Sequence, residues 1–336
     1  MMQLFTTYFE IIMIALAVIG LGIATYLAEV KRKKARPMCP MKGSCDAVIH
    51  SSHATFLGVS VEKLGIVYYI FVLALHSILF FAPELHSDAL TLVAILSSSF
   101  ALLFSFYLLT VQAFVLRSWC TWCVLSALTT LGIFILTILS PYYDTVALLG
   151  AHRYLLVIAH LLGVILGVGA ATISDILFFR FLKDYVISEE EEGTLTTLSE
   201  IVWIAIGILV LSGIGLYVVN VATLSVSGKF MVKMVAVGVL IINGFVLNRI
   251  ISPALIRMSF IENDPQMSKG MKRLRTFSFV AGAVSITSWY FIFILGALRG
   301  KTFDFEGLLT LYTILLVLAI AGGLLFGPRM LGKTKA

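Results

Sequence analysis

Charge is scarce in this chain. Asp, Glu, Lys and Arg make up 12% of its 336 residues, against 60% hydrophobic. A water-soluble domain could not bury that much apolar surface, so a polytopic membrane protein is implied. No polar stretch is long enough to form a soluble domain, so any soluble partner is expected as a separate chain, and no nucleic acid is expected. Cysteine is scarcer still: there are four, all before residue 124. Asn and Gln number four and three, a direction also seen in thermophile proteins. The opening MMQLFTTYFE has no Lys or Arg, and no small-residue cleavage site closes the segment behind it. A cleaved signal peptide is therefore not expected.

What the chain does have is long apolar runs. A run of about 18 residues or more spans a hydrocarbon core. Nine candidates lie near 9–29, 64–82, 89–115, 118–140, 154–179, 201–220, 230–248, 276–298 and 307–327. Because spans alternate, the loops 30–63, 180–200 and 249–275, the turn at Arg117 and the C-terminus share one side. That side carries 19 of the 24 Lys and Arg, and each half of the chain gives the same sign separately. Loops rich in Lys and Arg stay cytoplasmic, so the cysteines are expected at the cytoplasmic face of a cell membrane.

Two halves are expected, 1–140 with four spans and all the cysteines, and 154–336 with five spans and none. The connection 141–153, with Pro141 and Gly150, reads as the boundary loop. EEEE at 189–192 reads as starting or solvating a loop before the sixth span. In the second half His160, with Gly163 and Gly167 on a small-residue face, reads as a packing histidine. Asp175 and Glu200 approach the cysteine-side interface, where hydration or pairing with Arg180 or Lys183 is expected.

Residues 89–140 would be one apolar run of about fifty residues but for Arg117. Lipid cannot hold so long a span, so Arg117-Ser118-Trp119 must turn the chain at the interface. Ser118 is a candidate N-cap. Cys120 and Cys123 then fall in the first turn of the next helix, on one face. The partial positive charge of a helix N-terminus, with Arg117 nearby, favours thiolate there.

The other two cysteines, Cys39 and Cys45, sit in PMCPMKGSCDAV, where Pro40 and Gly43 forbid a regular helix. Three readings compete. The four could be buried structural thiols or a permanent disulfide, but none lies mid-span. They could form a zinc site, but the five-residue gap fits structural zinc knuckles poorly, and no metal is expected. They could be two redox pairs exchanging a disulfide, which needs an attacking thiolate, an accessible disulfide and room for a mixed intermediate. A loop pair beside a helix pair supplies these, and this third reading is preferred.

Taken in order, Cys39/Cys45, the run CDAVIHSSHATFLGVSVEKLGIVYY with Ser51 and Leu64-Gly65, and CTWCVLSA resemble the vitamin K epoxide reductase family over roughly residues 9–140. The resemblance implies a four-helix bundle enclosing a quinone of ubiquinone or menaquinone type, with a disulfide relay at its mouth. It further implies that Cys39 exchanges with a thioredoxin-fold partner and that Cys45 exchanges with Cys120. Cys123 would lie nearest the quinone, and Ser51 near the mouth, on a short amphipathic stretch over 52–60. Many bacterial members carry a fused thioredoxin domain; here that partner is expected as a separate chain. Animal members place a tyrosine where this chain has Ala127, so plain quinone reduction is expected rather than epoxide chemistry. Most members face their cysteines to the exported side, the alternative to the charge count.

The expected class is thus an all-α polytopic membrane protein, a four-helix redox bundle followed by about five further helices of unknown function. The expected activity is thiol:quinone oxidoreduction that generates disulfides through Cys39, Cys45, Cys120 and Cys123. The alternative is a membrane transporter or sensor using the cysteines as a redox switch.

Overall fold

A computed structural model describes residues 2–39, 45–56, 59–142, 144–181, 188–251, 265–298 and 303–330. Pro40, Lys42 and Gly43 of the cysteine loop, Lys183 and residues 252–264 of the basic loop lie outside the described residues. Among the described residues nine helices are long and apolar enough to cross a membrane. The chain is an all-α polytopic membrane protein. It divides into two compact units, Met1–Val157 and Ile158–Ala336. The division falls inside a helix, a few residues beyond the connection read as the boundary. That connection is itself partly helical, because Asp144 caps a short helix at Thr145–Ala151 by accepting from the N–H groups of Val146 and Ala147.

In the first unit the spans are α1 (Met2–Arg32), α3 (Val61–Phe81), α4 (Asp88–Thr110) and α5 (Thr121–Ile138), with a short α2 at Cys45–Ile49. Helix α1 packs on α3 and α5, and α4 packs on α5. Lipid offers no hydrophobic drive for helices to associate, so close approach through small residues must supply the contact. The buried stripe of α1 shows how: Phe9, Met13, Ala17 and Ala24 recur at three-to-four-residue spacing, with Gly20 among them. Gly20 leaves the space that the Tyr69 ring of α3 fills, and a Cβ there would overlap the ring. The Tyr69 hydroxyl lies 2.9 Å from Ser126 Oγ and 3.0 Å from Thr130 Oγ1, tying α3 to α5.

The end of this bundle away from the cysteines is closed by polar side chains. Glu10 is 1% exposed, and its Oε2 lies 2.7 Å from His76 Nδ1 while its Oε1 lies 3.5 Å from His86 Nε2. A carboxylate buried at membrane depth is tolerated only with such partners. His86 in turn stacks on Tyr142, ring centroids 3.6 Å apart, which ties the α3–α4 connection to the chain leaving α5.

The second unit contains most of α7 (Arg153–Phe181), then α8 (Glu189–Val219), a short α9 (Val221–Leu224), α10 (Gly228–Val246), α11 (Pro265–Ala297) and α12 (Phe305–Met330). Helices α10, α11 and α12 pack together around Val232, Ala236, Phe291, Leu295, Leu308 and Tyr312. The glutamates of 189–192 form the first turn of α8 rather than a loop before it. Ser188 and Glu191 make a reciprocal capping box, and negative charge suits the positive end of a helix. His160 is held by Ser212, Nδ1 to Oγ 3.0 Å, and Gly163 and Gly167 give room to Leu209 and Trp289. Asp175 is 9% exposed, and among the described residues its buried Oδ2 has no hydrogen-bond partner; Lys183, one of its two expected partners, lies outside them.

The Gly20 contact yields a direct test. Gly20→Ala is expected to destabilise the protein by about 1–3 kcal/mol, as overpacking does, read as a lower melting temperature in detergent. Gly22→Ala, whose Cβ would meet nothing within 4 Å, should change stability by less than about 0.5 kcal/mol.

Candidate functional site

The site begins where α4 ends. Residues 111–116 continue α4 as a π-helical turn, a form common at functional sites, and Arg117 then leaves the helix with φ 50°. Its chain reversal frees N–H groups that lipid cannot satisfy. Gln112, 2% exposed, meets the need: its backbone carbonyl accepts from Ser118 N–H at 3.1 Å and its side-chain Oε1 from Cys120 N–H at 2.9 Å. Ser118 is not the N-cap of α5. Cys120 is, its Sγ accepting from Cys123 N–H at 3.4 Å, because the extended stretch after Arg117 delays the helix by two residues. The CxxC spacing therefore places Cys120 at the cap and Cys123 at the third helical position.

The loop pair is docked onto this helix end. Cys39 and Cys45 form a disulfide, Cα–Cα 6.1 Å, within the usual range. Trp122, between the two CxxC cysteines, donates its indole N–H to Met38 O at 2.8 Å. Met38 N–H donates to Tyr26 Oη at 3.1 Å, and the Tyr26 and Trp122 rings lie 5.1 Å apart. Cys45 (2% exposed) and Cys120 (0%) lie in one buried cluster with Ile23, Leu27, Val48 and Ile49, and Cys39 and Cys123 pack against it. The structure thus brings the four cysteines together, with the loop pair oxidised and the helix pair reduced.

Electrostatics single out Cys120. A hydrogen bond from the Cys123 thiol, with the N–H groups of Cys123 and Trp122, pulls the Cys120 thiol below its ordinary value despite burial. The expected help from Arg117 is not the cause. That residue is exposed at the turn, and the neighbouring thiol and helix N–H groups supply the pull.

Behind the cysteines lies a cavity of about 630 Å³, walled by α1, α3, α4 and α5. That volume suits a small organic ligand. Its walls are largely apolar and aromatic, Phe56, Phe71, Phe100 and Phe104 among them, and Cys123 opens onto it. Ser51 also lines it, its hydroxyl donating to Val48 O at 2.8 Å. Over the mouth, residues 52–54 form a 3₁₀ turn, and two short antiparallel strands pair Thr55 with Ser60 and Phe56 with Val59. Lys31 fastens this cap to α1, donating to Ala54 O at 2.8 Å and lying 3.2 Å from both oxygens of the buried Glu62 carboxylate.

Sequence reasoning did not find Gln112, Tyr26, Tyr69 or the Lys31–Glu62 pair. Gln112 had a signal, a lone amide in the apolar run before Arg117. Tyr26 and Tyr69 had none, since a tyrosine in a span reads first as packing.

Buried paired thiols at the mouth of a membrane bundle, backed by an apolar cavity, define a membrane oxidoreductase that works through thiols and disulfides. Residues 11–138 match the model of the vitamin K epoxide reductase family, to which this part of the chain is therefore similar. The match supports, in general terms, a disulfide-generating membrane oxidoreductase, in a family known for quinone-linked reactions. Neither the curated proteins nor the solved structures contain a match to the chain.

Cys120 acidity can be measured by alkylation of the reduced protein across pH. The Cys120 midpoint is expected below the value of about 8.5 for a free thiol, and Cys123→Ala should raise it by removing the largest cause. A midpoint that ignores Cys123→Ala would remove the neighbouring thiol as that cause.

Proposed function

We propose that the first unit is a thiol:quinone oxidoreductase that passes electrons from a thioredoxin-fold protein, through Cys39/Cys45 and then Cys120/Cys123, to a quinone of ubiquinone or menaquinone type. One observation carries the reading: Cys123 opens onto the apolar cavity while Cys120, its partner in CxxC, shares a buried cluster with Cys45. A planar aromatic headgroup suits those walls, and the hydroxyls of Ser51, Tyr69, Ser126 and Thr130 at the lining could orient its carbonyls. Ala127 also lines the cavity and offers no hydroxyl, which favours quinone over an epoxide substrate.

The chemistry balances as an exchange followed by one oxidation. A thiolate of the partner attacks Cys39 and releases Cys45; the partner's second thiol resolves the mixed disulfide and leaves both loop cysteines reduced. Cys45 then attacks Cys120 of a Cys120–Cys123 disulfide and frees Cys123, and Cys39 resolves that intermediate. The reduced helix pair finally gives two electrons, and two protons leave with them, turning quinone into quinol. Exchange conserves disulfides, so net oxidation comes from the quinone alone.

Single substitutions separate the steps. Cys123→Ala is expected to abolish quinone reduction by every donor. Cys39→Ala should block oxidation of the protein partner yet leave small dithiols able to reduce quinone, since they can reach Cys45 or Cys120 directly. Loss of small-dithiol oxidation in Cys39→Ala would overturn the relay order.

The cysteines are proposed to face the cytoplasm. Nineteen of 24 basic residues flank the spans on their side, and carrying each across costs about 2.3 kcal/mol per 100 mV of opposing potential. A reporter active only in the cytoplasm, fused after Ala336, is expected to be active, and one active only outside the cell to be silent. The opposite pattern would place the cysteines on the exported face, as in most of the family.

A further inference from the structure

Quinone reduction consumes protons as well as electrons, and both must arrive inside a cavity whose walls are mostly hydrocarbon. Few groups at the lining exchange a proton readily near neutrality. Helix α3 brings Tyr68 and Tyr69, whose phenols ordinarily hold their proton to about pH 10. The cap turn brings His53, α5 brings Cys123, and α4 brings the neutral Gln112. Glu62, in the first turn of α3, is the sole carboxylate among the described lining residues. It is 7% exposed and paired with Lys31, 3.2 Å from both its oxygens. Cys123 lines the same cavity.

We propose that Glu62 is the proton-transfer carboxylate of this cavity, carrying the thiol protons of the CxxC pair to the quinone. The proposal rests on the quinone reading above. Closing the Cys120–Cys123 disulfide releases two electrons and two protons. Both electrons pass to the quinone. Glu62 accepts each proton in turn and hands it to a quinone oxygen, ending as the carboxylate it began as, so that one dithiol and one quinone become one disulfide and one quinol. Lys31 has two jobs here. It offsets the cost of burying the carboxylate, and through Ala54 O it holds the cap over the mouth.

A purely structural Glu62 would serve only as the anchor for Lys31, and glutamine separates the two roles. The amide oxygen of Glu62→Gln can still accept from Lys31 but cannot carry a proton. In the full-length protein in lipid nanodiscs, with a short-chain quinone, Glu62→Gln is expected to lower kcat about a hundred-fold, within the usual range for general acid–base catalysis. KM, melting temperature and the rate at which a small dithiol opens the Cys39–Cys45 disulfide should stay within about twofold. Glu62→Asp, which keeps a carboxyl that can carry a proton, should restore the rate in part. A Glu62→Gln rate equal to wild type would overturn the proposal. So would a loss in which melting temperature, dithiol exchange and quinone reduction fall together. A wild-type protein that reduces no quinone would instead sink the quinone reading itself.

Discussion

Everything at the site depends on how the chain satisfies its backbone where the apolar run of 89–140 breaks. Lipid supplies no hydrogen-bond partners, so each N–H freed at Arg117 must find one within the protein. Gln112 accepts two of them, one through its carbonyl and one through its side chain, and the Cys120 sulfur accepts a third from Cys123 N–H. The redox pair is thus part of the capping machinery. The same contacts that end one helix and begin the next also stabilise a thiolate at Cys120, so structure and reactivity share their hydrogen bonds.

That arrangement dictates where the second pair must sit. Thiol–disulfide exchange needs sulfur atoms brought into reach of one another, and Cys45 lies in the cluster that buries Cys120. Trp122 and Tyr26 hold the Met38 backbone between them and so fix one end of the disulfide loop on α5. The contacts are a few hydrogen bonds and one ring pair, a light anchorage that suits the proposed exchange.

The bundle has a polar closure at each end, and the two differ in kind. Away from the cysteines, Glu10, His76 and His86 form a buried cluster with aromatic cover. At the cysteine end, Lys31 and Glu62 pair on the rim of the cavity, and the cap hangs on the same lysine. Between them, Gly20 and Tyr69 set the separation of α1 and α3, on which the cavity walls depend.

Much of this protein was determined by the sequence alone. Run length and the alternation of spans set the helix count, because a hydrocarbon core admits little else. The ordered set Cys39, Cys45, Ser51, Cys120 and Cys123 was enough to recognise the redox family, since spacing along the chain survives as spacing along helices. Only the tertiary structure decided the rest. Periodicity cannot say which amide meets which N–H, so Gln112 and the cap at Cys120, two residues beyond Ser118, came from the fold. The strongest of the hydrogen bonds that acidify Cys120 comes from the Cys123 thiol, not from Arg117, because a charge at an exposed turn is screened by water and a buried thiol is not. Glu62 reads in the sequence as an ordinary acid at a helix start; it lines the cavity only because α1, the cap and α3 converge on Lys31.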